Sequence, residues 1–178
     1  RSGHEKLIGM THSQLLAIGG RSGVGKSTVA FAIHDLLSGQ GVQHAVIEGD
    51  ALDLAHPAPW ESRMAARNLR AVWANYRSEG YRRLVYTNTV SVLEVDDLAA
   101  AMGDDPYVTA VLLEARDDSV EARLRQREQG DSLKAHLERS KRSSAFLASK
   151  APSNVYRVVT DSKSPSSIAS EIGELLDW

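Results

Sequence analysis

Short apolar runs alternate along this chain with stretches whose apolar residues recur every three or four positions. The run at 15–18 (Leu-Leu-Ala-Ile) reads as a buried strand, and 44–48, 83–87, 108–113 and 156–160 read as four more. Residues 108–113 are apolar enough to be a strand buried on both faces. Between the strands the spacing turns helical. From Ser27 to about Leu37 it is carried by Thr28, Val29, Ala30, Phe31, Ile33, Leu36 and Leu37, and Ser38-Gly39-Gln40-Gly41 ends it with a glycine C-cap. Residues 61 to about 79 put Ala65, Leu69, Val72, Trp73 and Tyr76 on one face and Arg63, Arg67, Arg70 and Arg77 on another, with Gly80 as the stop. A short helix is expected at 95–102 and a very polar one at 117–128, anchored by Val120, Ala122 and Leu124. A second polar helical stretch follows at about 132–149, and Ser164-Pro165 opens a last helix that runs to about 176. Residues 51–60, with two prolines, form a loop. Strand and helix in alternation, with no repeat or linker, predict one α/β domain around a parallel sheet of about five strands.

The first strand and first helix enclose the most informative letters. Residues 20–27 spell G-x-x-x-x-G-K-S, a phosphate-binding loop in the strand–loop–helix context its mechanism needs. Gly20, Gly23 and Gly25 let the backbone curl with its N–H groups inward. Arg21, Ser22, Val24 and Thr28 complete the nucleotide-binding segment, and the helix behind adds its positive dipole end. Lys26 is expected on the β- and γ-phosphates and the Ser27 hydroxyl on Mg²⁺. The chain is thereby expected to bind a nucleoside triphosphate.

Bulk properties narrow the partners. A net charge of −2 gives no overall electrostatic case for nucleic acid or a membrane surface. Cysteine is absent, which rules out disulfides and thiolate chemistry and suits a reducing cytoplasm. No apolar run has the length of a membrane span, so the expected partner is a small-molecule acceptor and the expected state a monomer or homodimer. Residues 1–9 precede Met10 without any period and read as a leader ahead of a native start there.

In a parallel sheet, ligands sit at the carboxyl ends of the strands. Glu48 and Asp50 end the second strand and therefore fall beside the phosphate loop, where a carboxylate can hold Mg²⁺ or accept a proton from an attacking hydroxyl. Glu48-Gly49-Asp50, taken with the loop, resembles the P-loop small-molecule kinases: gluconate, adenylylsulfate and shikimate kinases and chloramphenicol phosphotransferases. That resemblance implies the three-layer fold of the nucleoside-monophosphate-kinase type with a helical lid, ATP and Mg²⁺ as cofactors, and phosphorylation of a hydroxyl on a metabolite or antibiotic. It makes Asp50 the residue that contacts the acceptor hydroxyl and serves or assists as base.

Arg123-Leu124-Arg125-Gln126-Arg127 is similar to the R-L-x-x-R that opens the lid of gluconate-type kinases. By that likeness Arg123 lies against the adenine or phosphates and Arg127 closes over the transferring group, with 129–149 as the moving lid and Gly130 as its hinge. Arg67-Asn68-Leu69-Arg70 echoes a substrate-holding region of adenylylsulfate kinases, and Arg63, Arg67 and Arg70 could there grip an anion. Asp53, His56 and Trp60 lie in the loop expected to cover the acceptor, whereas His34, His44 and His136 lack metal-ligand spacing and are expected to be structural. The third strand ends in Thr87-Asn88-Thr89 without a Walker B aspartate, which shifts metal duty to Glu48 and Asp50 and is a departure shared with shikimate and gluconate kinases. Two other readings stay open: a nucleoside or nucleotide kinase, and a nucleotide-binding regulator with slow NTPase activity. The absence of an N-K-x-D guanine motif argues against a GTPase switch.

Overall fold

The structure, a computed structural model, describes residues 12–178; the leader at 1–9 and the start at Met10 lie outside them. Five strands form one parallel sheet: β1 (Gln14–Gly19), β2 (Ala45–Glu48), β3 (Arg83–Thr87), β4 (Tyr107–Glu114) and β5 (Tyr156–Val159), in the spatial order β2-β3-β1-β4-β5. β1 is the central strand, with Leu16 opposite Val85 on one side and Thr109 on the other. That position explains its unbroken apolar run, because a strand flanked by two neighbours and covered on both faces exposes nothing to water.

Six helices complete the layers: α1 (Lys26–Gly39), α2 (Met64–Ser78), α3 (Val95–Met102), α4 (Asp117–Arg125), α5 (Gly130–Lys150) and α6 (Pro165–Gly173). The two-residue period of the strands sorts the core. Leu16, Ile18, Val85, Val111, Leu113 and Val158 pack under α1 and α6, against Val29, Ile33, Leu37, Ile168 and Ile172. The alternate residues Leu15, Ala17, Ile47, Leu84 and Tyr86 pack under α2 and α3, against Leu69, Trp73, Leu98 and Met102. α6 is closed by the expected cap: the Ser164 Oγ accepts from the Ser167 N–H, and Pro165 sits in the first turn.

Three details depart from the sequence reading. β4 is buried only in its second half, because Tyr107 (54%) and Val108 (40%) run past the helices and stay exposed. Phe31 and Ala122 follow the helical spacing, yet both face solvent; α4 is anchored by Val120 and Leu124 alone. α2 begins at Met64 rather than at 61, since Arg63 takes up a left-handed conformation (φ 52°) and 60–62 form a separate 3₁₀ turn. Beyond the sheet, the last turns of α5 are part of the core: Leu147 packs with Val92, Leu112 and Val155. Among the described residues no helix is long and apolar enough to cross a membrane.

Candidate active site

The loop between β1 and α1 wraps the carboxyl end of the central strand. Gly25 stands at the N-cap of α1 with φ 104°, a conformation that side-chain-bearing residues rarely adopt, although a Cβ there would meet nothing within 4 Å. Conformation, then, fixes this glycine. Conformation and space together fix Gly23, whose φ is 83° and where a Cβ would lie 2.9 Å from both Leu124 and Val120 of α4. α1 has no capping side chain and no acidic residue in its first turn, so its free N–H groups and dipole face the cavity unopposed. An anion is the natural partner of such an end.

That cavity, of about 440 Å³, is lined by Ser22, Gly23, Val24, Gly25, Lys26, Ser27 and Thr28 and by Asp50, Arg123, Arg127, Thr160 and Lys163 from other elements. Lys26 Nζ donates to the Gly20 carbonyl (2.9 Å) and the Arg21 carbonyl (3.2 Å), which parks the ammonium across the loop. Burial holds its pKa below the ordinary lysine value, and the Asp50 carboxylate opposes that fall. Arg123 donates through Nη1 to the Val24 carbonyl (3.0 Å) and the Thr160 hydroxyl (3.2 Å), bracing the loop from outside while lining the cavity. Arg127 also lines it and is exposed.

Arg21 and Ser22 are tied elsewhere. The Arg21 side chain is buried and turned away from the cavity: Nε donates to Ser140 Oγ at 2.8 Å, and Nη1 is paired with Asp117. The loop thus uses the backbone of Arg21, and its guanidinium fastens the loop to α4 and α5. Ser140 Oγ donates in turn to the Ser22 carbonyl (2.8 Å). The Ser22 hydroxyl meets His136 Nε2 at 2.6 Å, and His136 Nδ1 meets Glu128 at 2.8 Å. His136 is therefore the middle of a chain linking the loop to α5. His34 and His44 pair with each other at 2.9 Å on the far end of α1.

Asp50 follows β2 in a single 3₁₀ turn, Gly49–Ala51. Its side chain reaches solvent, but the protein mass around it lifts its pKa above the usual carboxylate value; Lys26 opposes the rise, and Asp53 and Glu48 add to it. Asp50 also lines a second cavity, of about 420 Å³, with Asp53, Trp60, Arg63, Tyr86, Asn88 and Glu94. Tyr86, Asn88 and Glu94 were not singled out from the sequence. The signal was present, since all three follow or end β3, on the same carboxyl edge of the sheet as the phosphate loop. Burial, then Glu94 and Asp50, push the Tyr86 hydroxyl up to about 12, so it is a neutral donor at physiological pH. Arg63, Arg67 and Arg70 together line a neighbouring cavity that shares Arg63, Ala66 and Asp97 with this one; of the three, only Arg63 also lines the cavity beside Asp50. His56 lines neither cavity.

The oxygen donors around the loop suit Mg²⁺. The Ser27 hydroxyl is exposed, Asp50 lies across from it on the same cavity, and Glu48 has a buried Oε1 with no hydrogen-bond partner. Among the described residues no cluster of three or more His, Cys, Asp or Glu forms a metal cage, which is the usual situation for an ion held largely by water and substrate phosphates.

No protein-family profile matches the sequence, and no curated protein does. Solved structures match its shape. A sugar kinase from Janibacter sp. superposes with a TM-score of 0.62 at 18% identity, over 93% of this chain and 95% of that one. The tunicamycin resistance protein of Deinococcus radiodurans gives 0.61 at 20% identity, over 93% and 96%. The APS kinase of Mycobacterium tuberculosis, solved in complex with AMPPNP and APS, gives 0.59 at 20%, over 94% and 99%. The chain shares its fold with these structures, two of which are described as kinases. In this fold the α4–α5 hairpin stands over the loop, with Gly130 at φ 67° where α5 begins.

Proposed function

We propose that the protein is an ATP- and Mg²⁺-dependent phosphotransferase that moves the γ-phosphoryl group to a hydroxyl of a small molecule. The observation that carries this reading is the position of Asp50, which lines both the phosphate-loop cavity and the cavity beside it. A donor site and an acceptor site that meet at one carboxylate are the arrangement in-line transfer needs.

In this reading the loop amides and Lys26 hold the phosphates, with Lys26 leaving the Gly20 and Arg21 carbonyls for the triphosphate. Ser27, with Glu48 or Asp50, would hold Mg²⁺, which supplies charge neutralisation on the phosphate oxygens. Asp50 accepts the proton of the acceptor hydroxyl as the new O–P bond forms and the bond to ADP breaks. A carboxylate whose pKa is lifted is a stronger base than an ordinary one, and Lys26 limits the rise. Arg123 and Arg127 face the phosphates from α4 and its C-terminal end, where positive charge stabilises the transferring group.

Incubation with ATP, Mg²⁺ and a panel of hydroxylated metabolites, nucleosides and antibiotics tests the reading. It predicts a phosphorylated product from at least one acceptor. It also predicts that Lys26→Ala lowers that transfer by about 10²- to 10³-fold, as expected for a removed phosphate-stabilising donor. Tight ATP binding with no transfer to any acceptor would favour a nucleotide-binding regulator, and an active Lys26→Ala protein would exclude the role given to the loop.

A further inference from the structure

We propose that the acceptor is a small hydroxylated amine bound as its ammonium ion, with Asp53 and Glu94 as its counter-charges and the Trp60 ring beside it. This rests on the phosphotransfer reading above and adds the charge class of the acceptor to it.

The cavity beside Asp50 carries four carboxylates, Asp50, Asp53, Glu94 and Asp97, against one cationic side chain, Arg63. Arg63 is already committed: its Nη2 lies 2.8 Å from Asp97 Oδ1. Lys26 stands on the phosphate side and answers Asp50. That leaves Asp53 and Glu94 with no cationic partner among the described residues. Burial lifts the Glu94 pKa, a hydrogen bond from the Asn88 side chain opposes the rise, and Asp97 and Asp53 add to it by repulsion. Acidic groups drawn together in a cavity of 420 Å³ lower their mutual repulsion when a cation enters, and a carboxylate ligand would raise it.

The remaining walls fit the same ligand. Trp60 lines the cavity and is 74% exposed, an aromatic side chain within reach of a bound cation. Met64, Val90 and Leu98 supply apolar contact for a carbon skeleton, and the Tyr86 hydroxyl is a neutral polar group on the same wall; the Asn88 amide is already engaged, its Oδ1 accepting from the Val90 N–H at 2.7 Å. Arg67 and Arg70 do not line this cavity; with Arg63 and Asp97, which line both, they line the neighbouring one. With the reacting hydroxyl at Asp50, the ammonium lies on the Asp53 and Glu94 side, which suits an amino sugar, an aminocyclitol or an amino alcohol.

The test is calorimetric binding to the protein loaded with AMPPNP and Mg²⁺, at neutral pH. The probes are amino sugars, aminocyclitols and amino alcohols, each paired with its neutral hydroxyl analogue and its carboxylate analogue. The expected result is at least one amine that binds about tenfold or more tightly than both of its analogues, the margin of one desolvated charge contact. Asp53→Asn, on an exposed loop, should narrow that preference, and Asp53→Asn with Glu94→Gln should bring it close to one. The inference is overturned if no amine binds, if a neutral or carboxylate analogue binds as tightly as its amine, or if the preference survives the double change. Product formation is read separately. Transfer to neutral or acidic acceptors alone overturns this inference and leaves the phosphotransfer reading intact, whereas an amine bound by preference but never phosphorylated supports the inference and counts against that reading.

Discussion

Gly49 shows how one missing side chain sets the site. It is buried between β2 and Asp50, and a Cβ there would run into the ring and hydroxyl of Tyr86. The aspartate is thereby seated against β3, beside Tyr86 and within the field of Lys26. Gly49→Ala should overpack this point, lowering stability by about 1–3 kcal/mol and pushing Asp50 out of line, so that thermal melting and transfer rate fall together. Asp50 itself makes a pH prediction. Its folded pKa lies above its unfolded one, so the ionised carboxylate costs stability at neutral pH, and that cost is recovered as pH falls through the raised value. Transfer follows the opposite course because the base must be ionised. A pH–rate profile should show kcat/KM falling on the acid side with a midpoint above the ordinary carboxylate value, and Asp50→Asn should abolish that limb.

Among the elements, α5 matters as a lever fixed at both ends. Its last turns are held in the core by Leu147, and its first half is held to the phosphate loop through His136, Ser140 and Arg21. The Leu133 contact with Val120 and Leu124 joins it to α4, the helix that carries Arg123. Any movement of the hairpin therefore has to move residues that touch the loop itself. His136→Ala removes the central link between Ser22 and Glu128. Hydrogen exchange in the first half of α5 should then rise by about fivefold, the effect of losing about 1 kcal/mol of local hydrogen bonding, while exchange around Leu147 stays as it was. Little of this linkage could be read from the sequence. Arg21 stands in the loop motif among nucleotide-binding positions, yet its partners Ser140 and Asp117 lie 119 and 96 residues further on. Contacts of that separation leave no local pattern, and a histidine without metal-ligand spacing gives no sign that it will meet a serine of the loop.

On the scale of the whole molecule, the sheet decides what the sequence could disclose. All five strands were visible as short apolar runs, because period and burial are local properties of a parallel sheet. Their order was not, and the order is what brings the ends of β1, β2 and β3 together. The phosphate loop and Asp50 were legible because each sits directly after its own strand. Tyr86, Asn88 and Glu94 were passed over because they match no motif and acquire meaning only once β3 lies between β1 and β2. The arginines illustrate a mixed case: Arg63, Arg67 and Arg70 line one cavity together, as their spacing suggested, but only Arg63, in the turn before α2, also reaches the cavity beside Asp50.

The central claim is that one carboxylate joins a donor site to an acceptor site, and single-turnover transfer from γ-labelled ATP by wild-type and Asp50→Asn protein tests it most directly. With the acceptor found by the panel, the account predicts a loss of about 10²- to 10⁴-fold in the transfer step for Asp50→Asn, the range for a removed general base, with ATP still bound. Transfer at the wild-type rate by Asp50→Asn would contradict it.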